Sequence, residues 1–509
     1  MPSPLLLAGQ PLSLTEIGAV ALDGRAVALD PAAMPAIRAS RAVVDALLAS
    51  GGTAYGINTG FGKLSDVRIE PGLVQDLQRN LVRSHACGLG DPLPQDAVRA
   101  MLLLRANVLA KGFSGVRPQL VEALIALLNR RIHPVIPSRG SVGASGDLAP
   151  LAHLALALIG EGTVDFEGTR VPAAFALLRA GVAPITLEAK EGLALLNGTQ
   201  AITAVGALAL ARALRVAELS DLAGAMTLEA LLGTPTPFDE RIHAVRPHPG
   251  QMAAAAHLRS LLAESEIRES HRHNDPRVQD AYCLRCMPQV HGAVRDALAH
   301  AAATLAIETG SATDNPLIFP GSPDLESEIL SGGNFHGAPL ALALDSAAIA
   351  MTTLMGIAER RIDRLVNPDI NEGLPPFLSR TPGVSSGLMI AHVAAAALLN
   401  EAKVLAHPAS ADSVPTSGGK EDHVSMGMTA ALKFEQIVAN AERLLAIELL
   451  CAAQGIDYRA PLRSAVRVGE AQAAVRKHVR PLAHDRVLAP EIESLAAALR
   501  TGQFDRWRS

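Results

Sequence analysis

Residues 200–232 form an almost unbroken run rich in Ala and Leu, and similar stretches follow at 288–308, 339–365, 388–406 and 429–453. These runs constrain the fold more than anything else in the chain. In 339–365, Leu340, Leu344, Ala348, Met351, Met355, Ala358, Ile362 and Leu365 recur at helical spacing. At 1.5 Å per residue that stretch is a rod of about 40 Å. Helices with apolar faces this wide must pack on one another, and often on other subunits. Aromatic residues make up only 3% of the chain, which suits packed helices better than sheets.

The expected fold class is therefore mainly α, with the long helices gathered in the second half. The first part, to about residue 196, alternates short helical patterns with Gly-rich loops. Pro118 can open a helix whose Leu120, Leu124, Leu127 and Leu128 share one face, and 148–159 reads as a buried helix ending at Gly160. We divide the chain at this change of character, into 1–196 and 197–509. The loops between the long helices (233–239, 264–283, 309–338 and 407–428) are long and polar, and loops of that length usually carry function.

Several function classes fall away. The net charge is −5, with no basic stripe interleaved with aromatics, so no nucleic-acid partner is expected. The apolar start lacks a basic n-region and an A-x-A-like cleavage site, and no segment reaches ~20 uninterrupted apolar residues. No membrane partner is expected. Four Cys in 509 residues do not make a disulfide framework, and the expected location is the cytoplasm. No ligand cluster at recognisable spacing points to a metal.

The sharpest local feature is Gly140-Ser-Val-Gly-Ala-Ser-Gly-Asp147. Three glycines in seven residues let the backbone fold back on itself. A phosphate cradle would need a Gly-Lys-Ser/Thr ending and a preceding strand. A hydrolase elbow around Ser145 would need Gly at 147, where Asp stands. Two readings stay open on local sequence. One is a plain tight loop leading into the next helix. The other is cyclisation, in which the Gly146 nitrogen attacks the Ala144 carbonyl and Ser145 dehydrates to a methylidene. The product would be a neutral carbon electrophile at the positive end of helix 148–159.

The stretch G-S-V-G-A-S-G-D-L-A-P-L-A-H resembles the signature of the aromatic amino-acid ammonia-lyases that use a methylidene-imidazolone (MIO) group. Five further blocks extend the resemblance over nearly the whole chain: Y-G-I-N-T-G-F-G (55–62), R-S-H-A-C-G (83–88), L-L-N-G-T-Q (195–200), Q-D-A-Y-C-L-R-C (279–286) and E-D-H-V-S-M (421–426). Each alone is weak, but all six in this order are specific. The resemblance implies an MIO formed from Ala144, Ser145 and Gly146 with no external cofactor, and a carbon–nitrogen lyase activity. It also implies an L-aspartase/fumarase-like helical fold, an antiparallel bundle, and a homotetramer whose sites draw on more than one chain.

Residue roles follow from the same resemblance. Tyr55 would remove the substrate β-proton, although a phenol with an ordinary pKa near ~10 needs a positive field to act near neutrality. Arg285 would clamp the substrate carboxylate, which a planar guanidinium suits, with Tyr282 and Gln279 in the same site. Asn197 would bond the MIO or the substrate, although it also reads as a helix cap. Phe335 would pack on the substrate ring. Cys283 and Cys286 form a C-x-x-C with no second pair, so neither zinc nor redox chemistry is expected.

Substrate choice turns on Ser84-His85 and Glu421, which resemble the histidine-specific members where phenylalanine-specific ones carry Phe-Leu and Gln. A neutral imidazole offers one donor and one acceptor, which a carboxylate and a histidine can pair. The expected reaction is L-histidine to trans-urocanate and ammonia; relatives acting on phenylalanine or tyrosine, 2,3-aminomutases, and a non-enzymatic helical assembly are the alternatives. Two departures adjoin these residues. Ser417-Gly-Gly-Lys420 precedes Glu421 where S-A-N-Q is common, and Cys87 stands where a small Ala or Ser is usual.

Overall fold

The computed structural model describes residues 3–273, 275–322 and 325–509. The long apolar runs form helices at Gln200–Ala230, Met287–Glu308, Ala338–Val366, Met389–Leu405 and Gly427–Asp457, each within a few residues of the expected bounds. Their periodic positions are core positions: Leu340, Leu344, Met351, Ile362 and Leu365 are all fully buried. Pro118 opens the helix Pro118–Asn129. The buried helix Leu148–Leu158 ends before Gly160, whose φ of 81° is the left-handed value that glycine adopts without strain. The protein is thus mainly helical, as its composition indicates.

Strands are few and short. Among the described residues they make four small sheets, none of more than three strands. The hairpin Thr163–Phe166/Thr169–Pro172 turns through Glu167 and Gly168, both at positive φ, as a tight two-residue hairpin turn requires. The stretch 309–338 is not a plain loop, because Leu317–Phe319 pairs antiparallel with Glu328–Leu330 inside it. Likewise 264–283 holds the short helix Glu266–Glu269, capped by the Ser265 side chain. These pieces are too short to leave a periodic signal.

The chain groups into two compact units. The first comprises Met1–Leu208, Ala302–Leu344 and Pro408–Leu432; the second comprises Ala209–Ala301, Asp345–His407 and Lys433–Ser509. In the first unit the helix Gln95–Ala110 is buried from Ala97 to its end. It carries Arg99 and Arg105 into the interior, where carbonyl oxygens receive them. Arg99 Nη1 donates to Leu128 O at 3.2 Å, and Arg105 Nη1 donates to Asn197 O at 2.9 Å.

The second unit holds a buried polar seam between its helices. Glu448 accepts both Nε and Nη2 of Arg361, at 2.5 and 2.9 Å, and the Thr227 hydroxyl at 3.1 Å. Asp221 accepts His291 Nδ1 at 2.7 Å and His257 Nδ1 at 2.9 Å, and pairs with Arg295. Burial alone would raise the Asp221 pKa, but these partners hold it well below the usual range. Removing one partner would strand a buried charge, a loss of about 3–5 kcal/mol. The helix Ala338–Val366 is long and apolar enough to cross a membrane by length and composition, yet 67% of its most apolar window is buried inside the protein. It is a core helix.

Candidate active site

The Gly-rich loop lies against the turn at Asn197–Thr199. Gly146 and Gly198 pair as a parallel bridge, and Asp147 N donates to Gly198 O at 2.7 Å. Gly146 has φ 76°, and a Cβ there would fall 2.1 Å from Gly198 O. Only glycine permits this approach. Asp147 is fully buried and fixes the loop to the helix beginning at Gln200: Oδ2 accepts Ile202 N at 2.8 Å, and Oδ1 accepts the Ser141 hydroxyl at 2.9 Å. Burial pushes its carboxyl up to about 6, against the opposing pull of the Ile202, Ser141 and Ala201 donors and of Arg105.

A second segment grips the same loop. Ser425 Oγ donates to Gly143 O at 3.1 Å, and Met426 N donates to Val142 O at 2.8 Å. Glu421 reaches the reactive position itself: its Oε1 accepts the Ser145 hydroxyl at 2.8 Å. Its Oε2 accepts the hydroxyls of Thr416 and Ser417, both at 2.7 Å. Burial works to raise the Glu421 pKa, but the bonds from Thr416, Ser417 and Ser145, together with nearby His85, hold it below the usual carboxylate range.

Tyr55 sits half-buried in its own loop, edge-on to Phe61 at 6.4 Å. Asn58 staples that loop: its Nδ2 donates to Gly52 O at 2.8 Å, and its Oδ1 accepts Ala54 N at 3.0 Å. Burial raises the Tyr55 pKa; the negative Glu421 adds to this, while a backbone bond from Gly62 opposes it. The positive field that a phenolate base needs is thus missing from this environment.

His85 ends the helix Val74–His85. Its Nδ1 lies 2.9 Å from Leu81 O. A carbonyl only accepts, so Nδ1 carries the hydrogen and Nε2 is left for a ligand. Asn197 is the C-cap residue of Glu191–Leu196, so the cap reading holds. Its Nδ2 donates to Asn315 O at 3.0 Å, and its Oδ1 is buried with no partner. A buried acceptor without a donor is costly, and a donor placed there by a bound group would satisfy it. Phe335 is half-buried, two residues before Gly337, where a Cβ would meet Ser425 Oγ at 2.9 Å. Cys87 is exposed, with its Sγ 3.7 Å from His85 O.

The first unit therefore brings together Tyr55, His85, Ala144, Ser145, Gly146, Asn197 and Glu421. Gln279, Tyr282 and Arg285 belong to the second unit. There the Arg285 guanidinium stacks 4.5 Å from the centroid of the exposed Tyr282 ring. It has no ion-pair partner among the described residues, and its Nε is buried without a bond. Cys283 and Cys286 are free thiols, and no group of three or more metal-ligating side chains occurs among the described residues.

Sequence reasoning missed the groups behind the loop. Arg105 is fully buried and donates to Ala194 O and Asn197 O at 3.0 and 2.9 Å, so it fixes the turn that faces Gly146. Burial lowers its pKa to about 10, although Asp314 and Asp147 oppose this. Lys190 and Asp314, both without exposed side-chain surface, pair at 2.7 Å. A charged residue inside an apolar helical run, as in L-L-L-R-A-N-V-L, was the available signal for Arg105.

The sequence pattern of the aromatic amino acid lyase family matches residues 12–481. A histidine ammonia-lyase of Anaeromyxobacter sp. (strain K) is 56% identical over 98% of this chain and 99% of its own length. The crystal structure of histidine ammonia-lyase from Trypanosoma cruzi superposes with a TM-score of 0.91 at 43% identity, covering 99% of this chain and 95% of that one. A tyrosine aminomutase of Streptomyces globisporus reaches a TM-score of 0.93 at 39% identity, covering 99% and 98%. With the model matching most of the chain, and relatives this similar along its whole length, the protein belongs to the aromatic amino acid lyase family.

Proposed function

We infer that the protein is a histidine ammonia-lyase, a carbon–nitrogen lyase that converts L-histidine to trans-urocanate and ammonia in histidine catabolism. The observation that carries this reading is the Glu421 carboxylate 2.8 Å from the Ser145 hydroxyl, with His85 close enough to act on its charge. A carboxylate and an imidazole at the reactive loop match the two nitrogens of a histidine ring. A phenyl or phenol ring would leave them unpaired, and sites built on hydrogen bonds reject such analogues strongly. The fold does not choose between deamination and amino-group migration, since the aminomutase superposes equally well.

The residues present fit an MIO at Ala144, Ser145 and Gly146. The loop is folded back by positive φ at Gly140, Gly143 and Gly146, and the orphaned Asn197 Oδ1 is available to a donor. When formed, the group supplies a neutral carbon electrophile for the substrate nitrogen. In this reading Glu421 accepts from one imidazole N–H, and His85 Nε2 meets the other ring nitrogen. Arg285 takes the carboxylate, helped by Gln279 and Tyr282, while Phe335 packs on the ring. Tyr55 takes the β-proton. Its raised pKa means that it must first lose its own proton, which a cationic substrate group nearby would favour.

We also place the enzyme in the cytoplasm, in keeping with its four free thiols. It would act there as a homotetramer. Leu342 and Ile349 on one long helix, and Ile390, Val393 and Val404 on another, are exposed apolar side chains that support self-association. Light scattering on the purified protein tests this. The activity is tested by parallel incubation with L-histidine, L-phenylalanine and L-tyrosine. Urocanate absorbance should rise with histidine alone; a β-amino acid product, or turnover of tyrosine in preference, would overturn the assignment.

A further inference from the structure

The bond between Ser145 and Glu421 can exist only while Ser145 keeps its hydroxyl. In the reading above that hydroxyl is lost, so this contact belongs to the chain before modification. It is also a built contact. Thr416 and Ser417 hold the far oxygen of Glu421, and the Thr416 and Glu421 backbones form an antiparallel bridge. Ser417 reaches this position at φ 51°, followed by Gly418 at 64° and Gly419 at 82°. A serine in the left-handed region costs of order 1 kcal/mol or more, and such strain gathers where geometry serves function. The same segment pins Val142 O and Gly143 O on the other side of the reactive tripeptide.

We propose that Glu421 is the acid–base group of the Ser145 dehydration that completes the electrophile, so that one carboxylate serves first the maturation of the chain and later its substrate. The proposal rests on the reading that Ala144, Ser145 and Gly146 cyclise. The atoms balance without any co-reactant. Ring closure forms the bond from Gly146 N to the Ala144 carbonyl carbon. The Ala144 oxygen leaves as the first water, with the Gly146 and Ser145 amide hydrogens. In the second loss the Ser145 Cα–H bond breaks, its electron pair forms Cα=Cβ, and the Cβ–Oγ bond breaks. Oγ leaves with its own hydrogen and the one from Cα. A carboxylate already bonded to Oγ passes that proton across: it starts ionised, accepts from Cα, and returns the proton to the departing oxygen.

Intact-mass measurement at intervals after synthesis tests this without reference to turnover. The parent chain should become two waters lighter than its sequence mass. Glu421→Gln, folded by circular dichroism, should lose the second water at least ~10-fold more slowly and accumulate a species one water light. Formate added to Glu421→Ala should restore part of the rate, which a merely structural role would not do. Two-water loss at the parental rate in Glu421→Gln overturns the proposal and leaves the function standing. Full sequence mass in the parent chain overturns the function as well. If Glu421→Gln is unfolded, Ser417→Ala carries the test, since it keeps the carboxylate and removes one partner. It should slow the second loss by a smaller factor, and a parental rate there counts against the proposal.

Discussion

Gly146 and Gly198 approach so closely that neither can carry a side chain: a Cβ on Gly146 would lie 2.1 Å from Gly198 O, and one on Gly198 would meet Gln200 Oε1 at 2.5 Å. Gly198 has φ 141°, also outside the range that L residues favour. Gly198→Ala should destabilise the protein by about 1–3 kcal/mol through strain and overpacking, and displace the turn that faces the loop. Denaturant melting reads the first effect. Intact mass reads the second, as incomplete loss of the two waters. A variant with parental stability and full maturation would show that the contact is dispensable.

Tyr55 gives a pH dependence of fixed sign. Burial and Glu421 raise its pKa, so its phenolate fraction grows only as pH climbs. If Tyr55 is the base, kcat/KM for histidine rises with pH on the alkaline side of neutrality. Tyr55→Phe, which removes the proton acceptor and keeps the ring, should lower kcat by roughly 10²–10⁴-fold. A flat profile from neutral pH to the alkaline limit would assign the proton to another group.

His85 tests substrate choice without touching the loop. His85→Leu removes the free Nε2, so the preference for histidine over phenylalanine should fall by about 10²-fold or more. Intact mass should match that of the matured parent, which separates selectivity from maturation. An unchanged preference would transfer the whole of imidazole recognition to Glu421.

Asp147 links the loop to stability. Its folded pKa of about 6 stands above the ordinary 3.8. A carboxyl raised in this way contributes stability that is fully present below the lower value and lost as pH rises through the higher one. The difference amounts to about 3 kcal/mol. Asp147→Asn should therefore flatten the fall in stability across that window, whatever its absolute stability. Urea melts at the two ends of the window measure it, and an unchanged slope would assign the fall to other groups.

How much of this was legible in the sequence depended on the distance over which each feature is encoded. The helix Ala338–Val366 announces itself because eight apolar residues repeat along one stretch. Tyr55, Ser145 and Glu421 were legible because each stands in a compact block. The pairing of Lys190 with Asp314 was not, since the two are 124 residues apart and neither carries a local pattern. Nor was the role of Thr416 and Ser417, which looks in sequence like an irregular polar loop. The raised Tyr55 pKa is a product of burial, and single-sequence reasoning cannot see burial at a Gly-rich turn.

The first unit is assembled from three separated pieces of chain, the last of them Pro408–Leu432. A ribosome makes the tripeptide early and its partner Glu421 much later, 276 residues downstream of Ser145. Until that point the growing polypeptide displays an ordinary serine, inert toward the thiols and amines of its surroundings. The reactive carbon is thereby scheduled by translation, and a product truncated before Pro408 would be harmless as well as inactive.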